Sequence, residues 1–153
     1  RPEGTALASR LKRERPLPVD EALGIARDLA AGLAAAHAAG VRHGDLRPKH
    51  VLLADGGALL RAVGVLDAIQ PPSAASASGT GVSFGVVGYQ SPEQVVRSDD
   101  GDPRADVYAL GCVLHELLVG DVPHASTPGL TLAARKLTLP APSVRLVRDT
   151  VPE

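Results

Sequence analysis

The clearest feature of the hydrophobic pattern is a long amphipathic helix over Asp20 to Ala39. Its apolar residues recur every three or four positions, which places them on one face of an α-helix. Two acidic residues occupy the first turn, where negative charge suits the helix dipole. Gly40 follows the last turn, at a position that favours a left-handed C-terminal glycine. The pattern therefore predicts both ends of this helix.

The same spacing predicts further helices at Asp106 to Gly120 and Leu130 to Leu137, and a short one within Leu7 to Leu17. Two aliphatic runs, Val51 to Leu53 and Leu59 to Val63, flank an Ala-Asp-Gly-Gly sequence. Such runs around a glycine-rich turn are typical of a β-hairpin. We therefore expect a mainly α-helical fold with one small hairpin.

Other parts of the chain have no apolar periodicity. Residues 70–84 are rich in Pro, Ser, Ala and Gly, which predicts a mobile loop, and the tail from Pro140 onward is expected to be irregular. His37, His115 and His124 have no spacing that suggests a metal site, so we interpret them as residues of helix faces or loops.

Composition and charge exclude several classes of function. The chain has 153 residues, 44% of them hydrophobic and only 2% aromatic, so we expect an aliphatic core. The net charge of −1 gives no electrostatic reason to expect nucleic acid as a partner. No apolar run approaches the ~20 residues of a membrane span. The single cysteine, Cys112, lies in an apolar helical stretch, which predicts a buried thiol.

The candidate chemistry lies between the long helix and the hairpin, in the stretch Val41 to Leu53. It contains a histidine, an aspartate two residues later, an Arg-Pro pair and then the first aliphatic run of the hairpin. This stretch resembles the catalytic loop of protein kinases, His-Arg-Asp-Leu-x-x-x-Asn. His43, Asp45 and Leu46 match that pattern.

Three further blocks follow the kinase order. The opening Glu-Gly-x-x-Leu resembles the end of the hinge between the two kinase lobes. Residues 85–94 read Gly-Val-Val-Gly-Tyr-Gln-Ser-Pro-Glu-Gln and resemble the end of an activation segment. Residues 106–118 resemble the helix that comes next. The chain is thus similar to the C-terminal lobe of bacterial Ser/Thr protein kinases of the eukaryotic-like type.

The resemblance implies a fold and a set of roles. It predicts a partial kinase domain over residues 1–153, namely a C-lobe with a small β-hairpin at the active-site edge and no N-lobe, cut from a longer protein. Asp45 would be the catalytic carboxylate, and Arg47 would replace the lysine that neutralises the transferred phosphate. Structural roles would fall to the residues that hold the lobe together: His43, Pro92, Glu93, Asp106 and Gly111. Of these, Asp106 would accept hydrogen bonds from the catalytic-loop backbone, and Gly111 would allow close helix packing.

The departures from the family pattern fall on the chemistry. His50 stands where the family has a magnesium-binding Asn, and an imidazole nitrogen suits this hard cation poorly. The Asp of Asp-Phe-Gly is replaced by Ala62 if the hairpin length is kept, or is supplied by Asp67 in a register that needs about four extra residues. Gly44 removes the arginine that binds a phosphorylated loop, and Val86 replaces a bridging threonine. The metal positions would therefore be His50 and Asp67, both degenerate.

Three hypotheses follow from these observations. The first is a catalytically degenerate kinase-like domain with a regulatory or scaffold role, and the second is an active Ser/Thr kinase in the full-length protein. The third is a small-molecule phosphotransferase, whose loop is also written His-Gly-Asp-Leu. The resemblance implies ATP and Mg²⁺ as cofactors, expected to bind weakly or not at all here, and a protein as partner or substrate. It also implies a cytoplasmic location, with a membrane anchor elsewhere in the protein left open, as is the oligomeric state.

Overall fold

A computed structural model of the chain describes residues 4–63, 87–96, 102–125 and 131–152. In these ranges the α-helices are α1 (Leu7–Arg13), α2 (Val19–Ala38), α3 (Pro92–Val95), α4 (Arg104–Val119) and α5 (Leu132–Thr138). The strands are β1 (Thr5–Ala6), β2 (Val51–Ala54) and β3 (Gly57–Leu60), and short 3₁₀ turns span Pro48–His50 and Val144–Leu146. The mainly helical prediction is confirmed for the described part of the chain.

Helix α2 is the central element, and its predicted ends are confirmed to within one residue. Its apolar face buries Ala22, Ile25, Leu29 and Leu33 against α4 and β3. Gly40 has a φ of 73°, the left-handed conformation that the sequence predicts after the helix. This geometry stops the helix and sends the chain into the loop that precedes β2.

The core is aliphatic, as its composition predicts. Its largest fully buried apolar side chains come from the helices, the loop and β2: Leu7, Leu17, Leu29, Leu46, Leu117, Val51 and Val113. Cys112 in α4 is 3% exposed, so the prediction of a buried thiol is confirmed. Burying a leucine or valine side chain stabilises a fold by about 1.5–3 kcal/mol, so this aliphatic core is a main source of the stability of the fold.

The sheet has one strand more than the sequence predicts. Strands β2 and β3 form the expected antiparallel hairpin, but β1 pairs antiparallel with the other side of β2. The second hairpin strand also ends at Leu60 rather than at Val63. Asp28 of α2 accepts a 2.9 Å hydrogen bond from the N–H of Ala58, which fixes the hairpin against the helix.

Helix α4 begins at Arg104 and ends at Val119, and Gly120 follows as a left-handed C-terminal cap with a φ of 95°. One expectation for this helix is wrong in the described part of the chain. A Cβ atom built on Gly111 would have no described neighbour within 4 Å, and the residue is exposed. Gly111 therefore does not permit a close helix contact there.

The tail after α5 is mostly irregular, as expected, but it packs onto the core. Val144 and Val151 contact the buried cluster. The Arg148 guanidinium donates hydrogen bonds to the backbone carbonyls of Leu17, at 2.6 Å, and Leu118, at 3.0 Å. The tail thus joins the start of α2 to the end of α4.

Some expectations fall outside the described residues. The loop over 70–84, Asp67 and Val86 are among them. Within the ranges that are described, no helix has the length and apolar character to cross a membrane.

Candidate functional site

The loop between α2 and β2 is held by the buried carboxylate of Asp106. Its Oδ2 accepts the backbone N–H of His43 and its Oδ1 accepts that of Gly44, both at 2.8 Å. Asp106 is only 2% exposed, so both bonds form away from water, where charge-assisted hydrogen bonds are strong. Gly44 adopts a φ of 78°, which glycine tolerates without strain. These are the hydrogen bonds that the sequence analysis expects of Asp106.

His37, near the end of α2, makes a third contact with the same carboxylate. Its Nε2 lies 2.9 Å from Asp106 Oδ2. Sequence reasoning treats His37 as an ordinary helix-face residue and therefore misses this contact. The available signal was its place in the last turn of α2, which leads directly into the loop.

His43 is the buried imidazole of the loop. It is 1% exposed, and its Nδ1 accepts the backbone N–H of Asp45 at 3.3 Å. An Nδ1 that accepts a hydrogen bond carries no proton, so the ring is neutral with its proton on Nε2. Burial lowers the pKa of His43, and the nearby carboxylate of Asp106 partly offsets that effect. His43 thus shapes the loop around Asp45 as a neutral group.

Asp45 is the predicted catalytic carboxylate of the candidate site. Arg47 donates to its Oδ2 from Nε at 3.1 Å and from Nη2 at 2.6 Å. His50 Nδ1 donates to the backbone carbonyl of Asp45 at 2.7 Å and lies 3.5 Å from the same Oδ2. The three side chains are brought together by the 3₁₀ turn Pro48–His50, and they orient a partly exposed carboxylate that can accept a proton or a hydrogen bond.

Of the residues at the expected metal positions, the two that the structure describes, His50 and Ala62, do not fit Mg²⁺. His50 offers nitrogen rather than oxygen, and its Nδ1 proton is already given to a carbonyl group. Ala62 has no ligand atom, and its φ of 61° is unusual for a residue other than Gly, Asn or Asp. In the described ranges no group of three or more His, Cys, Asp or Glu side chains could hold a metal ion. Asp67, the other candidate, lies outside those ranges.

The segment before α3 forms the opposite wall of a small cleft. Ser91 caps α3 through a reciprocal pair of hydrogen bonds with Gln94. Gln94 Nε2 also reaches the carbonyl of Gly44 at 3.3 Å, which connects this wall to the loop. The Tyr89 hydroxyl donates to Glu116 of α4. Between the walls lies a narrow cleft with room for about one water molecule. It is lined by Gly44, Asp45, Leu46, Tyr89, Gln90, Gln94, Ala105, Asp106 and Ala109.

Two of the residues with a predicted structural role lie beside this wall. Pro92 is the first residue of α3, where its missing N–H costs nothing, and Glu93 follows in the first turn. Gln94, which sequence reasoning did not single out, contacts the loop. Of the predicted site residues, His43, Asp45, Arg47, His50 and Asp106 share one place in the structure, whereas Gly111 does not join them.

Comparison with known proteins matches residues 2–142 to the protein kinase domain family. The chain is 38% identical over 151 residues to the serine/threonine-protein kinase PknL of Mycobacterium tuberculosis, with 98% of this chain and 37% of PknL covered. It is 37% identical over 152 residues to PknH of Mycobacterium bovis, covering 99% of this chain and 25% of that protein. It is 38% identical over 147 residues to PknD of Mycobacterium tuberculosis, covering 95% of this chain and 22% of PknD. The chain therefore spans well under half the length of these relatives.

Proposed function

The chain belongs to the protein kinase domain family, and from this premise we propose that it is the C-terminal lobe of a Ser/Thr kinase domain that no longer transfers phosphate. In this proposal the domain binds a protein partner at the surface beside Asp45 and acts as a regulatory or scaffold domain. Protein kinases use ATP and Mg²⁺ and place a carboxylate beside the hydroxyl of a protein substrate. In the proposed function the domain still binds a protein but does not bind the metal ions.

The observation that carries the proposal is the contrast between an ordered loop and degenerate metal positions. Asp106 holds the loop backbone, and Arg47 with His50 orients Asp45. Yet His50 presents a nitrogen ligand, and Ala62 presents none. Phosphoryl transfer depends on metal ions that bridge the phosphates, so a loop kept without metal ligands supports binding rather than catalysis.

The backbone at Ala62 supports the register on which this argument depends. A φ of 61° is several-fold more frequent for Asn and Asp than for other residues with a Cβ atom. An aspartate at position 62 would thus adopt the local conformation more readily than the alanine does. This favours Ala62, rather than Asp67, as the replacement of the metal-binding aspartate.

The test is nucleotide binding by the full-length protein. Binding is detected from the melting temperature, which is measured with ATP in the presence and absence of Mg²⁺. We expect no Mg²⁺-dependent rise, because only a ligand that binds the native state raises the melting temperature. The double variant His50→Asn, Ala62→Asp restores both metal positions and is expected to gain such a rise. A clear Mg²⁺-dependent stabilisation of the unaltered protein at roughly millimolar ATP would overturn the proposal.

An active kinase in the full-length protein is the second candidate, and the ordered Asp45 and Arg47 favour it. The relatives are named serine/threonine-protein kinases, which is in line with this candidate as well. A phosphotransfer assay separates the two candidates. Activity that is lost in Asp45→Asn and in Asp67→Ala would establish this candidate together with the alternative register. The small-molecule phosphotransferase has the His-Gly-Asp-Leu sequence of the loop in its favour, but the family match is to the protein kinase domain.

A further inference from the structure

Lys136 of α5 is a buried lysine with an unusual set of contacts. It is 5% exposed, and its Nζ donates to the backbone carbonyls of Gly88 and Gln90, each at 2.7 Å. Nζ also lies 3.8 Å from the sulfur of Cys112 and 4.9 Å from the ring centre of Tyr108. An ammonium group has three donors, and all three are directed at groups in this environment. Lys136 thus holds the segment Gly88–Gln90, which we call the cleft wall.

The contacts of Lys136 determine which way the peptide groups of the cleft wall point. In a trans peptide the carbonyl and the next N–H point in opposite directions. Because the Gly88 carbonyl faces Lys136, the N–H of Tyr89 faces the other side of the wall. Tyr89 and Gln90 line the cleft next to Asp45, and Lys136 does not. The N–H of Tyr89 is therefore turned away from the buried lysine, as a donor to a bound chain must be.

The second peptide group connects Lys136 to the loop between α2 and β2 through hydrogen bonds. The Gln90 carbonyl faces Lys136, so the N–H of Ser91 points the opposite way, and it donates to Gln94 Oε1 at 3.0 Å. The same Gln94 donates from Nε2 to the Gly44 carbonyl. A continuous set of hydrogen bonds thus runs from α5 to the residue before Asp45.

We propose that Lys136 is a positioning residue for the cleft, because its ammonium group fixes the cleft wall and presents the N–H of Tyr89 to a protein segment bound beside Asp45. The binding part of this inference rests on the proposed function. Lys136 touches no partner itself and acts through the wall. Burial lowers the pKa of Lys136, and the neighbouring Cys112 partly offsets that effect.

The direct test compares Lys136→Met, Lys136→Arg and the control Lys12→Met by amide hydrogen exchange. Methionine keeps the length and apolar character of the stem and removes the donors, whereas Lys12 is an exposed residue of α1. In Lys136→Met we expect the amides of residues 88–91 to exchange about 10-fold faster or more, since bonds to charged groups are the strong ones. Amides of α2 should keep their protection, and Lys136→Arg should restore most of the loss at residues 88–91. Unchanged exchange at residues 88–91, or equal acceleration throughout the chain, would overturn the proposal.

A second measurement covers the case in which Lys136→Met does not fold. In the Cys112→Ala variant, which removes the thiol beside Nζ, the Lys136 side chain is titrated by NMR together with the amides of Tyr89 and Ser91. The other titratable groups near Nζ are Tyr108, whose pKa burial raises to about 12, and His124, which titrates in a lower range. We expect both amides to follow the Lys136 titration, with a midpoint below the ordinary lysine pKa of 10.5. Amides that do not respond would overturn the proposal.

A peptide-binding experiment tests the role of Lys136 separately from the proposed function. The probe is a library of 12-residue peptides with a central Ser or Thr, applied to the full-length protein. Selective binding that is lost in Lys136→Met, restored in Lys136→Arg and kept in Lys12→Met is the expected result. If no peptide binds the unaltered protein while the wall still loosens in Lys136→Met, the proposed function fails and the positioning role stands. If Lys136→Met binds the peptides with unchanged affinity, the proposed role of Lys136 in recognition is overturned.

Discussion

At the scale of single residues, Asp106 joins three parts of the candidate site. One buried carboxylate accepts two backbone N–H groups and contacts His37. A carboxylate is suited to this position because both of its oxygens accept hydrogen bonds. The conformation of the loop around Asp45 therefore depends on the negative charge of a residue more than 60 positions later in the chain.

Replacement of Asp106 by Asn is expected to destabilise the fold by roughly 1–3 kcal/mol, because the amide NH₂ group would face a backbone N–H that needs an acceptor. Urea unfolding of the variant measures this cost. The control is Asp55→Asn, in the exposed turn of the hairpin, which should leave stability nearly unchanged. Equal midpoints for Asp106→Asn and the unaltered chain would mean that these hydrogen bonds contribute nothing.

Sequence reasoning located part of this site for a clear physical reason. His43, Asp45, Arg47 and His50 lie within eight residues of one another, so a local pattern reveals them. The contacts of His37 and Lys136 join residues 69 and 46 or more positions apart, and no local spacing encodes them. Long-range contacts of this kind depend on how the helices pack.

At the scale of elements, the helices were predictable because their apolar faces repeat over many turns. Helix α2 was placed within one residue at each end and α4 within two. Strand β1 has only two residues, Thr5 and Ala6, which is too short for an alternating pattern, so it was missed. It is ordered by pairing with Leu52 and Leu53 of β2.

Helix α4 also gives an element-scale prediction at Gly111. Because no described atom lies within 4 Å of a Cβ there, Gly111→Ala should stabilise the protein by about 0.5–1 kcal/mol, the usual difference between these residues in a helix interior. Thermal or urea unfolding measures the change. A loss of stability in Gly111→Ala would revive the idea that this glycine permits close packing.

Gly57→Ala is the contrasting variant for that measurement. Gly57 has a φ of 118°, and a Cβ on it would lie against the Asp28 carboxylate that binds the hairpin. We expect this variant to lose more than about 1 kcal/mol, because alanine cannot adopt the native backbone without strain. The two alanine substitutions should thus have opposite signs.

At the scale of the whole molecule, buried histidines make stability depend on pH. Burial lowers the pKa of His43 and of His124 below the ordinary value of 6.5, and around His124 the cations Lys136, His115 and Arg135 add to this effect. Below pH 6.5 the unfolded chain therefore binds more protons than the folded one, and the free energy of unfolding falls as the pH is lowered. Burial raises the pKa of Glu116 above its ordinary value of 4.5. This group therefore has the opposite effect: at pH values above 4.5 it raises the free energy of unfolding as the pH is lowered.

The expected result is a lower urea midpoint at pH 5.5 than at pH 7.5, values that bracket the ordinary histidine pKa of about 6.5. His124→Asn should reduce this difference, since asparagine does not titrate and suits the φ of 65° at that position. A midpoint that is the same at both pH values would show that neither histidine is held neutral by the fold.

The contacts of Arg148 determine where this domain can be cut. The match to the kinase family stops at residue 142, and a boundary chosen from that match alone would discard Arg148. Its removal would expose the carbonyls of Leu17 and Leu118 and uncover the apolar surface beneath Val144 and Val151. A protein shortened to residue 142 should therefore be cleaved by trypsin or chymotrypsin sooner than one that extends to residue 152. Expression and crystallisation trials are better designed to include those last ten residues.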